Sequence, residues 1–164
     1  MKAVIFVAAC LCGTVMHFLY EPLGRPALLR PLLPASESPW EHFKLAFWPL
    51  CTGLILQGRL QGRPCAAVLC ACFLAAFHAF CTMMGIYYLY RAAFGVKKPV
   101  LWADIGNFFL TMTLGWRLGL RMLDGSFGSL QAVFAGVGLA LCAALFLLTG
   151  GEPPDLPLFR EDRG

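Results

Sequence analysis

Apolar residues in this chain come in long blocks, with no alternation between polar and apolar positions. Five such blocks lie at about residues 3–20, 39–58, 64–90, 100–120 and 127–148. A helix that crosses the hydrocarbon core of a bilayer needs about 20 mostly apolar residues, and each block is of that order. A membrane β-barrel would instead show short segments of alternating hydrophobicity, and none are visible. The pattern predicts an all-α integral membrane helical bundle of about five transmembrane helices, one domain over residues 1–149. The tail at 150–164 is rich in proline and charge and is expected to be extended.

The breaks between blocks carry their own signals. Pro22, Pro26, Pro31 and Pro34 forbid a continuous helix in the loop after the first block, because each removes an N–H and clashes with the preceding turn. Pro39, Pro64 and Pro99 suit a first helical turn or the residue just before it. Tyr87, Tyr88, Tyr90 and Trp102 stand where interfacial aromatic residues are expected. At the start, "VAAC" looks like a lipoprotein cleavage box, but the apolar run before Cys10 is short and hydrophobicity continues to Leu19. That favours a retained first span over a cleaved signal.

Composition agrees with the pattern. Hydrophobic residues make up 59% of the 164 and charged residues 13%, about half the charged share of a soluble domain. All eight cysteines (Cys10, Cys12, Cys51, Cys65, Cys70, Cys72, Cys81 and Cys142) fall inside the apolar blocks with no C-x-x-C pair. They read as small hydrophobic side chains. The net charge of +4 comes with no basic stripe or aromatic-basic motif, which excludes a nucleic-acid partner. In an up-and-down arrangement eight Lys and Arg lie on the side of loops 21–44 and 91–98 and the tail, against five on the other side. This bias places the N-terminus outside and the C-terminus in the cytoplasm of a bacterial inner or plasma membrane.

Small residues mark packing seams: Ala67, Ala71, Ala75 and Ala79; Ala132, Gly136, Ala140 and Ala144; Gly115 and Gly119. Polar residues ride on such faces. His17 shares a face with Gly13 and Glu21, His42 with Ala46, Pro49 and Gly53, and His78 with Ala71 and Ala75. Asp104, Asn107, Thr111 and Gly115 form one narrow stripe. Ionisable groups are costly in lipid, so these side chains are expected to face protein. Up-and-down connectivity then brings His17, Glu21, Glu37, Glu41, His42, Tyr87, Tyr88, Asp104 and Asn107 to one membrane face. His78 lies deeper, roughly 18 Å below Tyr90 at 1.5 Å per residue. The candidate polar cluster for a ligand is His17, Glu21, Glu37, Glu41, His42, Lys44, His78, Asp104 and Asn107.

The stretch Ser38-Pro39-Trp40-Glu41 fits a capping box, with Ser38 as N-cap, Pro39 at N1 and Glu41 reaching back. Lys44 is placed to pair with Glu41 at i,i+3, a surface term of about 0.2–0.5 kcal/mol. Glu37 and His42 are left without a structural role. Three histidines and nearby carboxylates suit a divalent metal. No H-E-x-x-H spacing is present, and the adjacent side chains of Glu41 and His42 diverge, so a metal site must assemble across helices. Asp104 suits a proton or ion path, or equally a contact with interface water or Arg91. There is no G-x-S-x-G, P-loop or dinucleotide fingerprint, and the sequence identifies no cofactor. Three classes of function follow: binding or transport of a small polar ligand or cation, a membrane-embedded metal-dependent enzyme, and a structural or partner subunit. The bilayer is the expected partner, with room for a membrane-protein partner or a homo-oligomer.

The motifs also form a longer pattern: His17 and Tyr20; Pro34, Glu37, Ser38, Trp40, Glu41, His42 and Lys44; and Pro157, Leu158, Phe159 and Asp162. In these the chain resembles a family of small bacterial multi-pass membrane proteins catalogued only as a domain of unknown function. Arg160 and Glu161 before Asp162 depart from that family's closing P-L-F-x-D spacing. The resemblance implies a bacterial membrane protein and transfers no activity.

Overall fold

The structure, a computed structural model, describes residues 1–96, 100–150 and 153–159. Pro99, the basic residues Lys97, Lys98, Arg160 and Arg163, and the motif residue Asp162 lie outside the described residues. The described chain is all-helical: α1 Lys2–Leu19, α2 Pro39–Leu60, α3 Cys65–Phe94, α4 Leu101–Leu123 and α5 Ser129–Thr149, with a single 3-10 turn at Ala27–Leu29. Among the described residues there is no strand, and three helices (α1, α3 and α5) are long and apolar enough to cross a membrane. The helices α2 and α4 carry more charge, including Glu41, Lys44 and Arg59 in one and Asp104, Arg117 and Arg121 in the other.

Helix α2 packs against α1, α3 and α4, while α3 also packs against α4 and α5. Phe43, Phe47, Leu50 and Leu54 of α2 are buried against Ala71, Ala75 and Ala79 of α3, Met112 of α4 and Phe146 of α5. The outer surface is also apolar: Val4, Val7, Leu11 and Val15 of α1 and Leu130, Val133, Val137 and Leu141 of α5 are exposed. In water such a surface would be costly, and in lipid it is the natural solvent boundary.

The small-residue seams decide how close the helices come. Ala67, Ala71, Ala75 and Ala79 are all completely buried, and a Cβ on Gly115 would stand 2.9 Å from Leu50 and 3.3 Å from the Ala75 carbonyl oxygen. On α5 the expected seam is not the packed one. Ala140 is exposed and a Cβ on Gly136 would meet nothing. The buried side instead carries Ala135, Phe146 and Thr149, with Gly138 pressed against Phe73. Large side chains on α2 and α3 fill that interface, so α5 needs small residues only where Phe73 crosses it. Helix α3 runs past the expected end near residue 90 to Phe94 and stops at Gly95, whose φ of 62° only glycine adopts freely.

Candidate metal centre

The site begins with a proline. Pro49 lies inside α2, so the carbonyl of Leu45, one turn earlier, loses its helical N–H partner. Over that carbonyl lies Gly13 of α1, where an added Cβ would sit 2.5 Å from the Leu45 oxygen. The two helices run antiparallel at this close approach, since Ile5 also lies beside Gly53. One turn beyond Gly13 along α1 is His17, and just under one turn before Leu45 along α2 is His42. The register therefore brings the two imidazoles together, with ring centroids 5.3 Å apart.

Glu37 enters from the loop, one residue before the N-cap Ser38. Its Oε2 lies 3.4 Å from His42 Nε2, and the ligand atoms of His17, Glu37 and His42 all lie within 4.8 Å of one another. Four ligands around a tetrahedral zinc at about 2.0–2.1 Å stand about 3.3 Å apart. The His42–Glu37 edge already has that length. His42 Nδ1 lies 3.0 Å from the Ser38 carbonyl oxygen. A carbonyl only accepts, so Nδ1 carries the proton and the lone pair of a neutral His42 stands on Nε2, toward Glu37. Two lone pairs facing each other repel unless a proton or a cation lies between them. The backbone bond to Nδ1 is the usual outer support of a metal-bound histidine. Nδ1 of His17 is buried and has no hydrogen-bond partner among the described residues.

The other candidate residues have different places. Glu41 and Lys44 form a buried pair: Lys44 Nζ donates to Glu41 Oε1 at 2.6 Å and to the Arg30 carbonyl at 2.6 Å, and Ala35 N donates to Glu41 Oε2 at 2.6 Å. The Lys44 side chain is 0% exposed and that of Glu41 7%, so the pair is a core element and not a surface term. Glu41 also does not close a capping box. Ser38 Oγ accepts from Glu41 N, the Leu158 carbonyl takes Trp40 N–H at 3.2 Å, and Ser36 Oγ takes Ser38 N–H. With Pro39 lacking a donor, the first turn is satisfied and the Glu41 carboxylate is free for the deeper ion pair. Glu21 turns outward to Arg25.

Asp104 accepts from Tyr90 OH at 3.0 Å and lies within the field of His42, Arg91 and Glu37. Asn107 is spent on packing: its Nδ2 donates to the Met83 carbonyl at 2.9 Å and its Oδ1 accepts from Thr111. His78 stands apart from the His17–Glu37–His42 group. Reasoning from helix faces missed the Ser38 carbonyl, because a backbone acceptor leaves no mark on side-chain periodicity. It also missed the seat of the tail, where Phe159 packs on Trp40 with centroids 5.5 Å apart.

No curated protein and no solved structure matches the chain. A family model matches it over residues 2–164, and the chain belongs to that family of unknown function (DUF6512).

Proposed function

We propose that this protein is a membrane-embedded binding protein for a divalent transition-metal cation, held by His17, Glu37 and His42 at one face of the bilayer. The observation that carries the reading is the mutual approach of three ligand atoms to within 4.8 Å from two helices and a loop. Imidazole and carboxylate together suit zinc and its neighbours in the first transition row. In this reading the five helices form one membrane domain, and the polar ends of α2 and α4 face the inside of the bundle. The Lys and Arg bias puts the site on the cytoplasmic side. His17 lies in the last turn of a lipid-length helix and Glu37 is exposed, so a cation would reach the site from the water at that face.

A second reading, a metal-dependent enzyme, draws on one feature: three protein ligands leave a fourth position for a water molecule. The test of the first reading is metal content and calorimetric titration of detergent-purified protein with zinc. One equivalent bound by the native chain and lost in both His17→Ala and His42→Ala supports it. An unchanged titration in the two variants sinks it. Turnover of any ester or peptide by the zinc form would favour the enzyme.

A further inference from the structure

A second polar feature lies on the other side of the same loop. Glu37 is turned to His42, while its neighbours Ser36 and Ser38 line a cleft of about 250 Å³. Arg25 and Arg30 contribute the charge, with Tyr20 and Thr149 among the other walls. The carboxylate in this cleft, Glu41, is already spent on Lys44 and Ala35 N. Arg25 has Glu21 and Arg63 has Asp124. Arg30 is different. It is half-buried, and among the described residues no carboxylate forms an ion pair with it. Its neighbours are neutral: Nε donates to Tyr20 OH at 3.1 Å and Nη1 to the Gly150 carbonyl at 3.4 Å. A partly desolvated guanidinium with no carboxylate against it among the described residues is suited to an anion, and its planar fork matches a phosphate.

Arg25, at the mouth, has a φ of 55°, which a residue with a Cβ adopts only at a cost. Arg25 lines the same cleft, its guanidinium shared with the exposed Glu21.

Two facts specify the source of the anion. The cleft lies where α1 and α5 end and α2 begins, the depth of lipid headgroups if those helices cross the bilayer. Beneath it is an apolar groove of about 280 Å³ between α2, α3 and α5, lined by Phe47, Trp48, Val68 and Leu139 among others. Seven residues separate Glu41 from Trp48 on α2, and seven separate Ala143 from Gly150 on α5. Both spacings are about 10 Å along a helix. Cleft and groove therefore follow the same seam between α2 and α5, a headgroup depth above an acyl-chain depth. Basic pockets between membrane helices are a common seat for anionic headgroups.

We propose that this seam binds an anionic phospholipid, its phosphate at Arg30 and Arg25 and an acyl chain in the groove below. None of the three proposed metal ligands, His17, Glu37 and His42, lines the cleft.

The experiment follows the thermal unfolding midpoint of delipidated protein in detergent, titrated with short-chain phosphatidylglycerol, short-chain phosphatidylcholine or inorganic phosphate. Phosphatidylglycerol is expected to raise the midpoint at concentrations at least tenfold below those needed of phosphatidylcholine. Arg30→Gln removes this preference and Arg25→Gln reduces the apparent affinity about fivefold. Because Arg30 also braces the loop, the exposed Arg25 is the variant that tests binding if Arg30→Gln does not fold. Ala143→Phe, which fills the groove, weakens phosphatidylglycerol binding. His17→Ala leaves the titration as in the native chain. Equal responses to the two lipids, or a phosphatidylglycerol response unchanged in Arg25→Gln, overturn the proposal. A response to inorganic phosphate as large as that to the lipid, with Ala143→Phe silent, overturns the lipid assignment.

Discussion

Gly13 of α1 lies directly over the Leu45 carbonyl of α2, so close that a Cβ would stand 2.5 Å from its oxygen. This contact sets the register in which His17 meets His42, and it yields a prediction away from the ligands themselves. Gly13→Ala should cost about 1–3 kcal/mol by overpacking and weaken metal binding with every ligand still present. Gly136→Ala, where nothing lies within reach, should be neutral or stabilising by up to about 1 kcal/mol. Thermal unfolding in detergent, paired with zinc titration, separates the two.

The ligand set makes a graded prediction. His42→Ala and His17→Ala should each lower zinc affinity by about 100-fold or more, while Glu37→Gln keeps the shape but loses the charge and should cost about 10–100-fold, by comparison with outer-shell losses. Isothermal titration of each folded variant checks the order. Asp104→Asn should leave zinc affinity within a few-fold of native, because Asp104 is bonded to Tyr90.

The Glu41–Lys44 pair offers a stability test. Lys44 is completely buried, and its removal leaves a buried carboxylate with only the Ala35 N–H. Lys44→Met should destabilise by about 3–5 kcal/mol, and the double substitution Glu41→Leu with Lys44→Met should recover most of that loss. Denaturation midpoints of the two single variants and the double variant form the cycle. Equal losses in single and double variants would speak against an uncompensated charge.

The tail is part of the fold through Trp40. Its ring packs on Phe159, its N–H at the helix start meets the Leu158 carbonyl, and its indole Nε1 donates to Thr149 Oγ1 at 2.9 Å. Phe159→Ala should cost about 0.5–1.5 kcal/mol for the aromatic pair, beyond the lost burial. Faster proteolysis of the tail in this variant, with α1 to α5 still helical by circular dichroism, is the expected result.

Much of this was legible along the chain. Blocks of apolar residues, proline breaks and the Ser38-Pro39 start place the helices because these signals are local: they depend on period, length and the donors of one turn. The seam from Ala67 to Ala79 was legible for the same reason. The corresponding seam on α5 was not, because exposure there depends on which partner supplies bulk, and Phe73 and Phe146 decide that from both sides of the interface.

By itself, then, the sequence determined that the chain is an apolar helical bundle with its candidate polar cluster gathered toward one end. Only the tertiary structure decided how they divide: Glu37, His42 and His17 into one ligand group, Glu41 and Lys44 into a buried pair, Arg30 into a separate cleft. The reason is that helical periodicity specifies the face on which a side chain stands but not the depth at which a neighbouring helix meets it. That depth is set by non-local contacts, here the approach of Gly13 to the Leu45 carbonyl one turn before Pro49.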